Sequence, residues 1–131
     1  MTSKEIFVAV KQHLLTQNKK SFLSKDQVLK IKQKYQVNGS TYAEGEVSCA
    51  YRGEDNCKCA VGILIPDELY SEIMEGEIPY SLNKFFSDEK FSEMFKTHSD
   101  LLFELQGIHD NYEPKDWKKK LEELEKELGF K

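Results

Sequence analysis

Arginine is nearly missing from this chain. Nineteen of its 131 residues are lysine or arginine, and Arg52 is the one arginine among them. A chain that takes its positive charge from lysine has a reason to spend a guanidinium. The planar five-donor fork grips a planar anion or a row of carbonyls in a way an ammonium cannot. Long apolar runs are missing too. No stretch reaches eighteen apolar residues, so no membrane-spanning helix is expected. Met1 to Glu5 carry no apolar core of a signal peptide. Cysteine is scarce and odd in number, at three, which argues for reduced thiols in a cytoplasmic setting. The sequence has no glycine-rich phosphate loop, no G-x-G-x-x-G and no Walker pattern. With only His13, His98 and His109, it also lacks the ligand set of a two-metal phosphohydrolase, despite the His109-Asp110 pair.

What is present indicates a folded helical domain. Hydrophobic residues make up 39% and aromatics 11%, enough for a core in one domain of this length. The net charge is −4 and unevenly spread. Lys19, Lys20, Lys25, Lys30, Lys32 and Lys34 face the single acid Asp26 in their segment, so the segment carries about +5 and the remainder about −9 by formal counting. Nucleic-acid binding is not expected from such a chain and would run at most through those six lysines, whose plain reading is a solvated helix face.

Helix signals run along most of the chain. Thr2-Ser-Lys-Glu5 fits a capping box, and Ile6, Phe7, Val10 and Leu14 follow at helical spacing, predicting a helix to about residue 18. Ser24-Lys-Asp-Gln27 opens a second helix by the same logic, with Asn38-Gly-Ser40 as its stop. Residues 40–58 lack a clear period and read as an ordered loop or a short hairpin. The run 59–65 leans helical and ends before Pro66. A short helix is expected over 66–74, closed by Gly76. Asp88 begins another, with a possible new cap around Thr97-His-Ser-Asp100 and an apolar face running on to His109. Pro114 starts the last helix, with the stripe Trp117, Leu121, Leu124 and Leu128. The expectation is a mostly α, compact, single-domain helical bundle spanning residues 1–131.

The three cysteines and Arg52 all fall in residues 49–59, and the candidate chemistry concentrates there. A zinc site would take Cys49, Cys57 and Cys59 with His109 or His98, but the Cys57-x-Cys59 spacing is unusual for structural zinc and no second cysteine pair exists. Buried thiols acting as small hydrophobes are the plainer reading, and no cofactor is expected. A thiol enzyme would use Cys59 as nucleophile, with His109 and Asp110, or Gln106, as base and orienter. A pocket for a small anion or nucleotide would combine stacking by Tyr51, the fork of Arg52, backbone access at Gly53, and Cys59 with His109. Against it stands a structural role in which Arg52 clamps Asp67, Glu68 or the carbonyls ending a helix. His98 and His109 lie eleven positions apart and would share a face on a continuous helix.

The strings Cys49-Ala-Tyr-Arg-Gly53, Lys58-Cys-Ala-Val-Gly62, Leu64-Ile-Pro-Asp-Glu-Leu-Tyr70, Met74-Glu-Gly76 and Leu105-Gln-Gly-Ile-His-Asp110 resemble those of small, mostly uncharacterised proteins encoded by bacteriophages, prophages and bacteria. The opening helix with His13-Leu-Leu-Thr-Gln-Asn18 is also similar. The lysine-rich segment, residues 19 to about 44, and Cys57 depart from that pattern, so the segment reads as an insertion. The resemblance implies a phage or bacterial origin and a cytoplasmic home, and brings no activity with it. It makes a non-enzymatic binding or inhibitor module against a host bacterial protein, in a counter-defence role, the leading expectation. Glu44, Glu46, Glu54, Asp55, Glu68, Glu72, Glu75 and Glu77 would supply an acidic surface for a basic partner, or merely solubility. A small-molecule or nucleotide binder is the alternative.

Overall fold

The computed structural model describes residues 1–37 and 49–130. The expected helix stop at Asn38–Ser40, the first part of the expected loop, Glu44, Glu46 and the side chain of Lys34 lie outside the described residues. The chain is mostly helical, as its periodicity predicts. Among the described residues five α-helices run Ser3–Gln17 (α1), Lys25–Val37 (α2), Glu89–Thr97 (α3), Ser99–Asn111 (α4) and Pro114–Glu127 (α5). Short 3-10 turns at Glu54–Asn56, Gly62–Leu64, Glu72–Met74 and Pro79–Phe85 fill the stretch between α2 and α3. Among the described residues no helix is long and apolar enough to cross a membrane.

Four of the described α-helices start at a side-chain cap or a proline, and α4 follows the break at His98 without one. At α1 the Thr2 hydroxyl accepts from the Glu5 amide and the Glu5 carboxylate accepts from the Thr2 amide. Ser24 and Gln27 do the same at α2. Asp88 caps α3 by accepting from the Phe91 amide, and Pro114 occupies the first turn of α5. Helix α1 packs against α4 and α5. Ile6, Phe7, Val10 and Leu14 of α1 meet Leu102, Leu105 and Ile108 of α4 and Trp117, Leu121 and Leu124 of α5 in one core. Each large apolar side chain fully removed from water there contributes roughly 1.5–3 kcal/mol. Phe86, Phe91 and Phe95 form a ring cluster with centroids 4.7–5.1 Å apart, which seats α3 against the Pro79–Phe85 turn.

Among its described side chains, helix α2 contributes none to the main core cluster. It is held by a few contacts. Ile31 is buried against Gly76, the Gln27 amide donates to the Arg52 carbonyl at 2.7 Å, and Lys30 pairs with Glu72 at 3.4 Å.

Several expected helices are shorter or broken. The 59–65 run forms only the turn Gly62–Leu64, in part because the Val61 amide is given to the side chain of Gln106 at 3.0 Å. The expected 66–74 helix does not form: residues 67–69 make only a turn, and the extended backbone and hydroxyl cap of Ser71 start a separate turn, Glu72–Met74. Helices α3 and α4 break at His98 (φ −107°, ψ 20°), so His98 and His109 share no continuous helix. His98 instead bridges Ser3 Oγ and the Met1 carbonyl, each at 3.1 Å.

Candidate functional site

The 49–59 loop is bound on all sides by hydrogen bonds. An isolated antiparallel bridge joins Cys49 to Phe22. From α1, His13 and Gln17 reach the Lys58 carbonyl at 2.8 and 2.9 Å, and the Lys58 amide donates back to Gln17 at 3.0 Å. Burial pulls the His13 imidazole below its usual range, opposed by its bond to Lys58. The Ser21 hydroxyl sits between the carbonyls of Ala50 (2.7 Å) and Cys57 (3.1 Å).

Arg52 lies at the centre of this loop with its fork in use. Nη1 donates to the carbonyls of Gly62 (2.8 Å) and Tyr51 (3.1 Å). Nη2 donates to the Ile65 carbonyl (2.6 Å) and to Asp67 Oδ1 (2.9 Å). Its guanidinium carbon stands 4.8 Å from the centre of the Tyr70 ring. Asp67 and the carbonyls ending the Gly62–Leu64 turn are thus the partners the guanidinium takes. A Cβ on Gly62 would come 2.5 Å from the Tyr51 carbonyl oxygen, so only glycine lets the two chain segments approach closely enough for one fork to span both. Gly53 serves the same purpose toward Ser21, since a Cβ there would sit 2.8 Å from the Phe22 carbonyl.

Behind Arg52 lies Glu75, an acid only 3% exposed. Its Oε1 accepts from the Tyr51 amide at 2.9 Å, and its Oε2 accepts from the Arg52 amide at 3.0 Å and the Tyr70 hydroxyl at 2.7 Å. Burial raises its carboxyl above the usual range, while Tyr70, the two amides and the Arg52 charge oppose that rise. Burial, with the Glu75 bond second, pushes the Tyr70 hydroxyl above its ordinary range. Nothing in the sequence singles out Glu75, an acid among acids in a polar stretch.

Tyr51 is completely buried, and its hydroxyl donates to the Glu77 carbonyl, leaving no ring face for a base to stack on. His109, 1% exposed, belongs to a second network. Its Nε2 accepts from the Ser21 amide at 3.0 Å, and its Nδ1 donates to Asp110 Oδ1 at 2.7 Å. Gln106 ties into the same carboxylate at 2.9 Å, and the imidazole stacks on Trp117 at 5.5 Å. The basic lone pair is therefore occupied by the backbone of the segment joining α1 and α2. Asp110 orients the ring as a catalytic orienter would, but the ring is aimed at an amide rather than a thiol.

All three cysteines are free and buried. Contact with the Cys59 thiol, then burial, pushes the Cys49 thiol far above its ordinary range. Among the described residues no group of three or more His, Cys, Asp or Glu side chains is placed to hold a metal ion, so Cys49, Cys57 and Cys59 do not assemble a zinc site there. Ellman's reagent is expected to label the native protein slowly and all three thiols promptly in denaturant. Fast labelling of one native thiol would reopen the Cys59 reading.

Of the other lysines, Lys19 pairs with Asp55 at 3.6 Å, Lys30 with Asp26 and Glu72, each at 3.4 Å, and Lys20 donates to the Asp110 carbonyl at 3.1 Å. These contacts tie Lys19, Lys20 and Lys30 to groups of the protein itself. Arg52 also lines a polar hollow of about 300 Å³ with Gly53, Asn56, Cys57, Lys58 and Asp67, where Asp67 already faces both cations. A second cavity, of about 200 Å³, lies between α2 and the Glu72–Met74 turn.

The outer surface carries an aromatic pair left largely in solvent. Tyr80 and Phe103 stack with centroids 5.4 Å apart while 45% and 56% exposed, and Ile78, two residues before Tyr80 in the chain, is 52% exposed. The Tyr80 hydroxyl donates to Asp100 at 3.3 Å, and Glu104 is close enough to act on it electrostatically. Asp100, Phe103 and Glu104 share one face of α4 by their spacing.

No family model matches this chain, and neither does any curated protein or solved structure.

Proposed function

We propose that this chain is a non-enzymatic protein-binding module whose contact surface is the Ile78, Tyr80 and Phe103 patch with its acidic border. The observation that carries the proposal is a contrast in how side chains are used. Of the groups capable of chemistry, Arg52, Cys59 and His109 are turned inward onto the protein's own backbone and side chains, and Asp110 is bonded to His109 and Gln106. A stacked aromatic pair, which burial would stabilise, is left in water. Tyrosine and phenylalanine bury large area at low entropic cost, and such pairs anchor interfaces. Asp100 and Glu104 beside them select a partner with basic residues around an apolar depression, and the chain's net charge of −4 steers it there. With the resemblance to phage and prophage proteins, the partner is a host bacterial protein met in the cytoplasm.

Wild-type protein used as bait in bacterial lysate is expected to retain one stoichiometric partner, released by raised salt. A Tyr80→Ala/Phe103→Ala bait of unchanged thermal stability is expected to bind that partner at least about thirtyfold more weakly, the loss of a hot spot of about 2 kcal/mol. The same partner held equally well by both baits would remove the patch from the account. Turnover of a small molecule with no partner recovered would remove the binding role altogether.

A further inference from the structure

We propose that the cavity between α2 and the Glu72–Met74 turn is a binding site for a small alkylammonium ion. Gln27, Lys30, Ile31, Glu72, Ile73 and Glu75 line it. Its mouth and interior differ in character. Lys30 and Glu72 are exposed and paired with each other at 3.4 Å, and Ile73 is 55% exposed, whereas Ile31 and Glu75 are each 3% exposed. The cavity thus has isoleucine on its walls and a buried glutamate among its lining residues.

Among the described residues no ammonium or guanidinium bonds directly to the Glu75 carboxylate. Lys30 already answers two carboxylates, Asp26 and Glu72. Arg52, the nearest guanidinium to Glu75, sends its side-chain donors to three carbonyls and to Asp67, and offers Glu75 only its backbone amide. Among the described residues Glu75 is therefore a buried carboxylate bonded by two amides and one phenol, all neutral donors, with the Arg52 charge acting on it without a side-chain bond. Three of the roughly four lone-pair positions of a carboxylate are taken, and Oε1 accepts a single bond. A charge in that position gains more from a cation than an exposed one does, because the surroundings screen it less. Ile31 and Ile73 supply an apolar surface for a short chain behind the ammonium. At about 30 Å³ per water, the volume of about 200 Å³ holds the equivalent of roughly seven waters, the size of a four- or five-carbon amine. An anion would meet Glu75 and Glu72, and a neutral alcohol would gain the walls but not the charge.

The test uses the full chain at pH 8, where n-butylammonium remains charged, with amide NMR shifts followed at matched ionic strength. Butylammonium chloride is expected to give saturable shifts at Gln27, Ile31, Ile73 and Glu75 in the millimolar range, with 1-butanol and butyrate each at least about tenfold weaker. Ile73→Trp, which fills the mouth from an exposed position, is expected to keep the fold and abolish the shifts. Equal binding of the alcohol would overturn the cationic specificity, and shifts that persist in Ile73→Trp would place the ligand elsewhere. Absence of saturable shifts would remove the site. None of these outcomes touches the Tyr80–Phe103 surface, so this proposal and the protein-binding one fail independently.

Discussion

Replacing Arg52 with alanine is expected to lower the free energy of unfolding by about 3–5 kcal/mol, a loss read from the urea midpoint at unchanged slope. The substitution strands the carbonyls of Gly62 and Ile65, which the fork satisfies at 2.8 and 2.6 Å, in a largely buried setting. It also withdraws the cation whose field opposes the cost of burying Glu75. The Asp67 contact adds little, because that carboxylate is 84% exposed and surface pairs are worth at most about 1 kcal/mol. Arg52→Lys should recover only part of the loss, leaving about 2 kcal/mol, since an ammonium cannot lie in the plane that reaches Tyr51, Gly62 and Ile65 together. A site built for an external anion would behave in the opposite way. Its arginine would be dispensable for folding, and alanine would abolish ligand binding at little cost in stability.

His109→Ala is expected to cost about 3 kcal/mol, from an unsatisfied Ser21 amide and a cavity beside Trp117. The damage should be local before it is global. Hydrogen exchange is expected to quicken first at Ser21 and its neighbours, because Nε2 is the acceptor that holds this segment on α4. A variant as stable as wild type, with Ser21 still protected, would show that the imidazole is spare and available for chemistry.

The helices were legible because their signals are local. Thr2 with Glu5, Ser24 with Gln27, Asp88 and Pro114 each mark a start within one turn of sequence. The stripe Trp117, Leu121 and Leu124 marks the buried face of α5, while Leu128, read as part of it, is 39% exposed past the helix end. The location of the centre was legible too, since a lone arginine among lysines points to a site that needs a fork. Its connections were not. Glu75 sits 23 residues from Arg52, Gln106 binds Val61 across 45, and His109 binds Ser21 across 88. Such pairings depend on how helices pack, and no spacing rule encodes them. The same distance explains why Cys59 and His109 looked like a nucleophile and base. Residue types suggested chemistry, and only the fold gives His109 to an amide and buries Cys59.

The account turns on whether the guanidinium of Arg52 is committed to the protein itself, and NMR of its side-chain protons reads that directly. In the native protein at neutral pH the account predicts separate, slowly exchanging Nη resonances, because rotation and solvent access are blocked by the carbonyls of Tyr51, Gly62 and Ile65. A single averaged, rapidly exchanging Nη signal, as a solvated arginine gives, would contradict it and return Arg52 to the role of a waiting anion receptor.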